Sequence, residues 1–169
     1  MISSTTFHMI STDATIGMFV LSGFAFMLTV FNKGPEVRDT VAHWALAGGL
    51  IMTPFAIITG VLASPGDGLD NPLLANKLLL SMTAAGLAIG LLWRRYRQGP
   101  ADRLYAAIGM ITSGLILTTA GIGGEFTRGE SLLFLIPKDI VILFPIWASA
   151  IILLLGLAMI GNSTVKHRG

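Results

Sequence analysis

Apolar residues in this chain gather into five long stretches, at about 9–31, 41–63, 73–93, 104–122 and 140–160. About 20 mostly apolar residues suffice for a helix to cross ~30 Å of hydrocarbon, so each stretch predicts a membrane-spanning helix. Turn-forming or charged residues separate them: Asn32-Lys33-Gly34-Pro35, Ser64-Pro65-Gly66-Asp67-Gly68, the basic run 94–100, and the glycine- and charge-bearing stretch 123–138. The third stretch is the least uniform, with Asn76 and Lys77 near its start. A lysine there can extend its ammonium to the interface while the helix continues. The run 131–136 is apolar but too short to span, and predicts a piece lying in the interface or capping the bundle. The expected fold is therefore all-α, a single polytopic bundle of five transmembrane helices occupying residues 1–169.

Composition strengthens this reading. Apolar residues make up 53% of the chain and charged residues 12%, about half the charge of an average soluble domain. A 169-residue globule could not hide that excess from water. The net charge is only +2 and there is no cysteine. Disulfides, thiolate metal sites and cysteine nucleophiles are excluded, and the basic residues form no folded face that would suit nucleic acid. Residues 1–8 contain no Lys or Arg, so the first stretch is expected to stay as a helix rather than act as a cleaved signal.

Charge also sets an expected orientation. Lys33, Arg38, Arg94, Arg95, Arg97, Arg103, Lys166 and Arg168 fall on one side, against Lys77, Arg128 and Lys138 on the other. Short loops rich in Lys and Arg remain cytoplasmic, which places the N-terminus outside and the C-terminus in the cytoplasm of an inner (plasma) membrane. Small residues offer packing surfaces: Gly86 and Gly90 as a GxxxG, Gly49 between Ala45 and Thr53, and Gly109 before Ser113. In lipid, such positions let helix backbones approach closely. Packing within the chain is preferred over homodimerisation, since a multi-helix chain has many internal interfaces to fill. Pro54 and Pro145 lie mid-helix, where Thr53 or Ser149 could help to satisfy freed carbonyls.

For chemistry, a cysteine-free helical bundle first suggests haem b between two histidines on facing helices. His8 lies at the outer end of the first stretch and His43 near the inner end of the second, while His167 is in the polar tail. Topology separates the first two by most of the membrane. His43 is left as the single cofactor candidate, for haem or quinone, with Met27 a formal partner; otherwise it is an interfacial residue beside Trp44. The outer rim gathers more ionisable groups: His8, Asp13, Lys77, Glu125 and Arg128. Charge at a membrane boundary marks a candidate site and calls for a partner, and Asp13 with Lys77 or Arg128 is the expected pair. No metal-ligand spacing and no catalytic constellation appears. The run from Thr118 to Gly129 carries Gly121, Gly123 and Gly124, and predicts a sharp exit from the fourth helix rather than a nucleotide loop, since no strand precedes it.

The stretch from His43 to Gly129 resembles an uncharacterised prokaryotic family of small four-helix membrane domains of unknown function. The resemblance rests on Thr59-Gly60-Val61-Leu62 at the end of the second helix and on Thr119-Ala120-Gly121-Ile122-Gly123-Gly124-Glu125 through Gly129. The family usually carries a histidine-proline and a second histidine around its first helix, and often one at the third. This chain has His8 alone and Asn76 at those places. Family members tend to occur beside redox proteins such as cytochromes c, which implies a membrane redox setting. The resulting expectation is a small integral subunit of a larger membrane complex, in a respiratory or photosynthetic chain. The alternatives are a haem- or quinone-binding electron carrier and a small transporter. Membrane lipids and other membrane subunits are the expected partners.

Overall fold

In a computed structural model the described residues are 4–63 and 72–128, with scattered positions between 147 and 162; side chains are described from 6 to 62, from 76 to 123 and at those scattered positions. Among the described residues there are four long helices: α1 (Ser4–Val30), α2 (Arg38–Ala63), α3 (Pro72–Gln98) and α4 (Arg103–Arg128). Each contains a segment long and apolar enough to cross a membrane. They correspond to the first four stretches of the sequence. The fifth, about 140–160, falls mostly outside the described residues; its described positions, such as Trp147, Ile151 and Leu154, are helical and exposed. The short apolar run 131–136 and Pro145 also lie outside the described residues.

Side-chain contacts fix the directions of the helices. Ser22 donates to the Ala42 carbonyl at 2.9 Å and His8 reaches Thr59 at 3.1 Å, so α1 and α2 run antiparallel. Gly23 faces Ser113 and Gly109 faces Phe26, which makes α4 antiparallel to α1. α3 packs on both α4 and α2, closing a four-helix ring in up-down-up-down order. Phe19, Phe26, Leu46, Leu80 and Leu91 fill its interior and are fully or almost fully buried. Outside, α1 and α2 present Met18, Leu21, Trp44, Ile51 and Ile58, an apolar surface that only lipid or another apolar partner can cover.

Two helix ends differ from expectation. α3 runs through Arg94–Arg97 and stops at Gly99, whose φ of 86° only glycine adopts readily. Arg95 and Arg97 in its last turn favour the negative end of the helix dipole, so the basic run extends the helix beyond 93 rather than breaking it. At the other end, α4 continues through Gly121, Gly123 and Gly124 to Arg128, where a sharp exit was expected. Helical glycine costs about 1 kcal/mol relative to alanine. At Gly123 the missing side chain makes room for Lys77, whose Nζ would lie 2.5 Å from an added Cβ. Close packing, not chain reversal, is the use of glycine there.

The remaining boundaries follow from local chemistry. α1 ends with Asn32 at φ 52°, with Asn32 N–H donating to Thr29 O (3.1 Å) and Lys33 N–H to Leu28 O (2.8 Å). That pair of bonds is a Schellman cap, which satisfies two terminal carbonyls. Asp102 caps α4, its Oδ1 accepting from Tyr105 N–H at 3.0 Å. Pro54 sits within α2 without ending it, and the Thr53 hydroxyl donates to the Gly49 carbonyl at 2.8 Å. That carbonyl is adjacent to the one at Leu50 that proline leaves without its helical N–H. Most buried hydroxyls make the same local bond: Thr15, Ser81, Thr112, Ser113 and Thr119 each donate to the carbonyl four residues back. These Ser and Thr hydroxyls are thereby satisfied within their own helices.

Candidate functional site

Buried and half-buried ionisable side chains concentrate at the two ends of the ring, among the described residues. At the first end, His8 of α1 is half-buried and Ser11 is buried. The Thr59 hydroxyl donates to the Phe55 carbonyl at 2.6 Å, so its oxygen accepts from His8 Nδ1–H at 3.1 Å. Ser11 Oγ donates to the His8 carbonyl (3.0 Å) and lies 3.4 Å from Thr59 Oγ1. Gly60 lets the imidazole approach α2, since an added Cβ would stand 3.0 Å from His8 Cε1. Lys77 reaches α4 at Gly123, and beside it Asn76 is buried with no hydrogen bond to its amide oxygen among the described residues.

The ion pair expected here between Asp13 and Lys77 does not form. Asp13 is on the exposed side of α1, and among the described residues Lys77 pairs with no carboxylate. Helical geometry explains this: Asp13 is two positions from Ser11 and so faces about 160° away from it. Glu125 and Arg128 belong to the last turns of α4, and their side chains lie outside the described residues.

The second end holds a denser network, and its centre is a residue that sequence reading passed over. Asp39, in the first turn of α2, is buried. Its Oδ1 accepts from the backbone N–H of Ala101 at 2.9 Å, and its Oδ2 lies 2.8 Å from Arg95 Nε. The latter contact is electrostatic more than directional, because the N–H is not aimed at the oxygen. The carboxylate thus ties α2 to the end of α3 and to the α3–α4 turn. Arg94 supports the same turn: it donates to the Pro100 carbonyl (3.3 Å), pairs with Asp102 (3.1 Å) and lies 3.6 Å above the Tyr105 ring.

His43 stands one turn beyond Asp39. It donates through Nδ1–H to the Asp39 carbonyl at 2.8 Å and lies 3.5 Å from Asp39 Oδ1. Its ring is buried and meets Phe26 edge-on at 5.1 Å, which leaves Nε2 for any further partner. It belongs to this network and is not a neighbour of His8. His8 touches Thr59, sixteen positions further along α2 than His43, or about 24 Å at 1.5 Å per residue. No single haem can bridge the two.

Of the glycines expected to pack helices, Gly49 lies against the Phe19 ring (2.6 Å from an added Cβ) and Gly109 directly under the Phe26 ring. Gly90 is buried and Gly86 partly so. For Gly49 and Gly109 the packing is within the chain. Gly123→Ala should change stability by less than about 1 kcal/mol, because the displaced atom is the far end of a flexible lysine and the helix gains propensity. Thermal unfolding in detergent checks this; a loss of several kcal/mol would mean that Lys77 is rigidly held.

Compared with known proteins, the chain matches no family model, no curated protein and no solved structure.

Proposed function

We propose that this chain is a small integral subunit of a larger complex in an inner (plasma) membrane, in a respiratory or photosynthetic electron-transfer chain. In this reading it crosses the bilayer five times, with its N-terminus outside and its C-terminus cytoplasmic, an orientation supported by the eight-to-three division of Lys and Arg.

The observation that carries the proposal is how the interior is used. Along the described ring the axis is filled by Phe19, Phe26, Leu46, Leu80 and Leu91; most buried hydroxyls bond to their own helices, and Ser22 ties α1 to α2. The buried charges clamp helix ends together. A protein whose interior is spent on holding its own shape acts through its exterior, which here is broad and apolar. The redox setting rests on the resemblance carried by Thr59-Gly60 and Thr119–Gly129 and on no catalytic residue of this chain.

Affinity purification of a tagged chain from its native membranes in a mild detergent tests the proposal. Larger membrane subunits should co-elute with it in fixed ratio, among them redox proteins. Recovery of the free chain alone would overturn the reading. Recovery with a non-redox complex would retain the subunit role and remove the electron-transfer setting.

A further inference from the structure

We infer that the cleft between α1 and α2, at the end bearing the arginines, is a binding site for one anionic phospholipid. The acyl chain would lie in the cleft and the phosphate would rest on Arg38.

The cleft has a volume of about 310 Å³ and is lined by Met18, Leu21, Thr40, Val41, Trp44 and Ala45. It opens outward from the bundle, with Trp44 76% exposed at its edge. Next to it Gly48 packs against Met18, whose sulfur lies 3.3 Å from where a Cβ would be. From Thr40 to Ala45 the helix axis advances about 7.5 Å, roughly half of the ~15 Å hydrocarbon depth of one leaflet. Its apolar lining and lateral opening suit the headgroup-proximal part of an acyl chain.

Charge at the mouth selects the headgroup. Arg38 lies one turn before Val41 on the same side of α2. Its guanidinium is held by three neutral oxygens of the α1–α2 turn: Asn32 Oδ1 (2.8 Å), the Gly34 carbonyl (2.8 Å) and the Pro35 carbonyl (3.4 Å). These bonds position the cation without neutralising it. Guanidinium has five N–H donors, so two remain, and planar pairs of such donors suit phosphate. The nearby acids do not compensate the charge. Asp39 is committed to Arg95 and Ala101, and Glu36 is exposed and forms no ion pair among the described residues. An oriented, uncompensated cation above an apolar slot at headgroup depth is complementary to an anionic phospholipid, and less so to a zwitterionic one.

Trp44 provides the readout. In a Trp93→Phe, Trp147→Phe background it is the remaining tryptophan. The protein is reconstituted in phosphatidylcholine vesicles containing a fixed fraction of brominated phosphatidylglycerol or of brominated phosphatidylcholine. Brominated phosphatidylglycerol should quench Trp44 with an apparent affinity about fivefold higher, the ratio expected from one basic side chain acting at the membrane surface. Arg38→Gln should abolish that preference, and raised salt should weaken it in the unaltered binding turn. Equal quenching by the two lipids would overturn the proposal, as would a preference that survives Arg38→Gln. Quenching by neither would show the cleft occupied by a second copy or another protein, and would overturn it too. The salt series needs no variant at Arg38, so a misfolded substitution cannot shelter the idea.

Discussion

Replacing Asp39 with alanine should destabilise the bundle by roughly 3 kcal/mol, the lower part of the range for removing one partner of a buried ion pair. The carboxylate has three neighbours at once: Arg95 at 2.8 Å, the Ala101 N–H at 2.9 Å and His43 at 3.5 Å. Its loss strands a half-buried N–H in the α3–α4 turn and leaves a guanidinium without its counter-charge. The Arg95 side chain is 32% exposed, so part of that charge can still reach water, which keeps the cost at the lower end. Asp39→Asn retains an oxygen for Ala101 but loses the charge, and should cost about 1–2 kcal/mol. Removing Arg95 in the Asp39→Ala background should then cost about 1 kcal/mol less than in the wild type, the signature of coupled neighbours. Reversible unfolding in mixed detergent measures all four corners of the cycle. An Asp39→Ala protein within about 0.5 kcal/mol of wild type would show that the network is ornamental.

This network also shows what could and could not be read from the sequence. The first four apolar stretches correspond to α1–α4 because hydropathy over 20 residues is a summed signal that one Asn or Lys cannot cancel. The caps at Asn32 and Gly99 were marked by residues that tolerate positive φ. Asp39 was not legible, because a carboxylate just before an apolar run looks like a solvated helix start. Only the antiparallel return of α3 and α4 brings Arg95 and Ala101, more than fifty residues away, onto it. The reverse error occurred at the other end. Asp13, inside an apolar run, drew attention because charge there is costly, yet it lies on the exposed side of α1. The glycines of α4 were read as turn residues on propensity alone. At Gly123 the helical role depends on Lys77 of a neighbouring helix, which no local pattern can reveal. The separation of His8 from His43 was legible, since it required only the direction of two consecutive helices.

The second large effect is expected at Gly109. In hydrocarbon the helices gain little from excluding water, so their association rests on van der Waals fit. The Phe26 ring is the wedge that tests this fit: it is fully buried, sits on Gly109 of α4, and meets His43 of α2 at 5.1 Å. A Cβ at position 109 would overlap the ring, and the ring cannot retreat without driving into His43. Gly109→Ala should therefore destabilise by about 1–3 kcal/mol, even though alanine is the better helix former by about 1 kcal/mol. Gly109→Leu should exceed that range. Gly114, in the same helix, is exposed with nothing within 4 Å of an added Cβ. Gly114→Ala isolates the propensity gain and should stabilise by up to about 1 kcal/mol. The opposite signs of two identical substitutions five residues apart are the diagnostic result. Pairing Gly109→Ala with Phe26→Leu should recover part of the loss, because the smaller side chain frees space where the Cβ must go. If Gly109→Ala and Gly114→Ala stabilise equally, Phe26 does not lie against Gly109 and the α1–α4 contact is looser than the geometry implies.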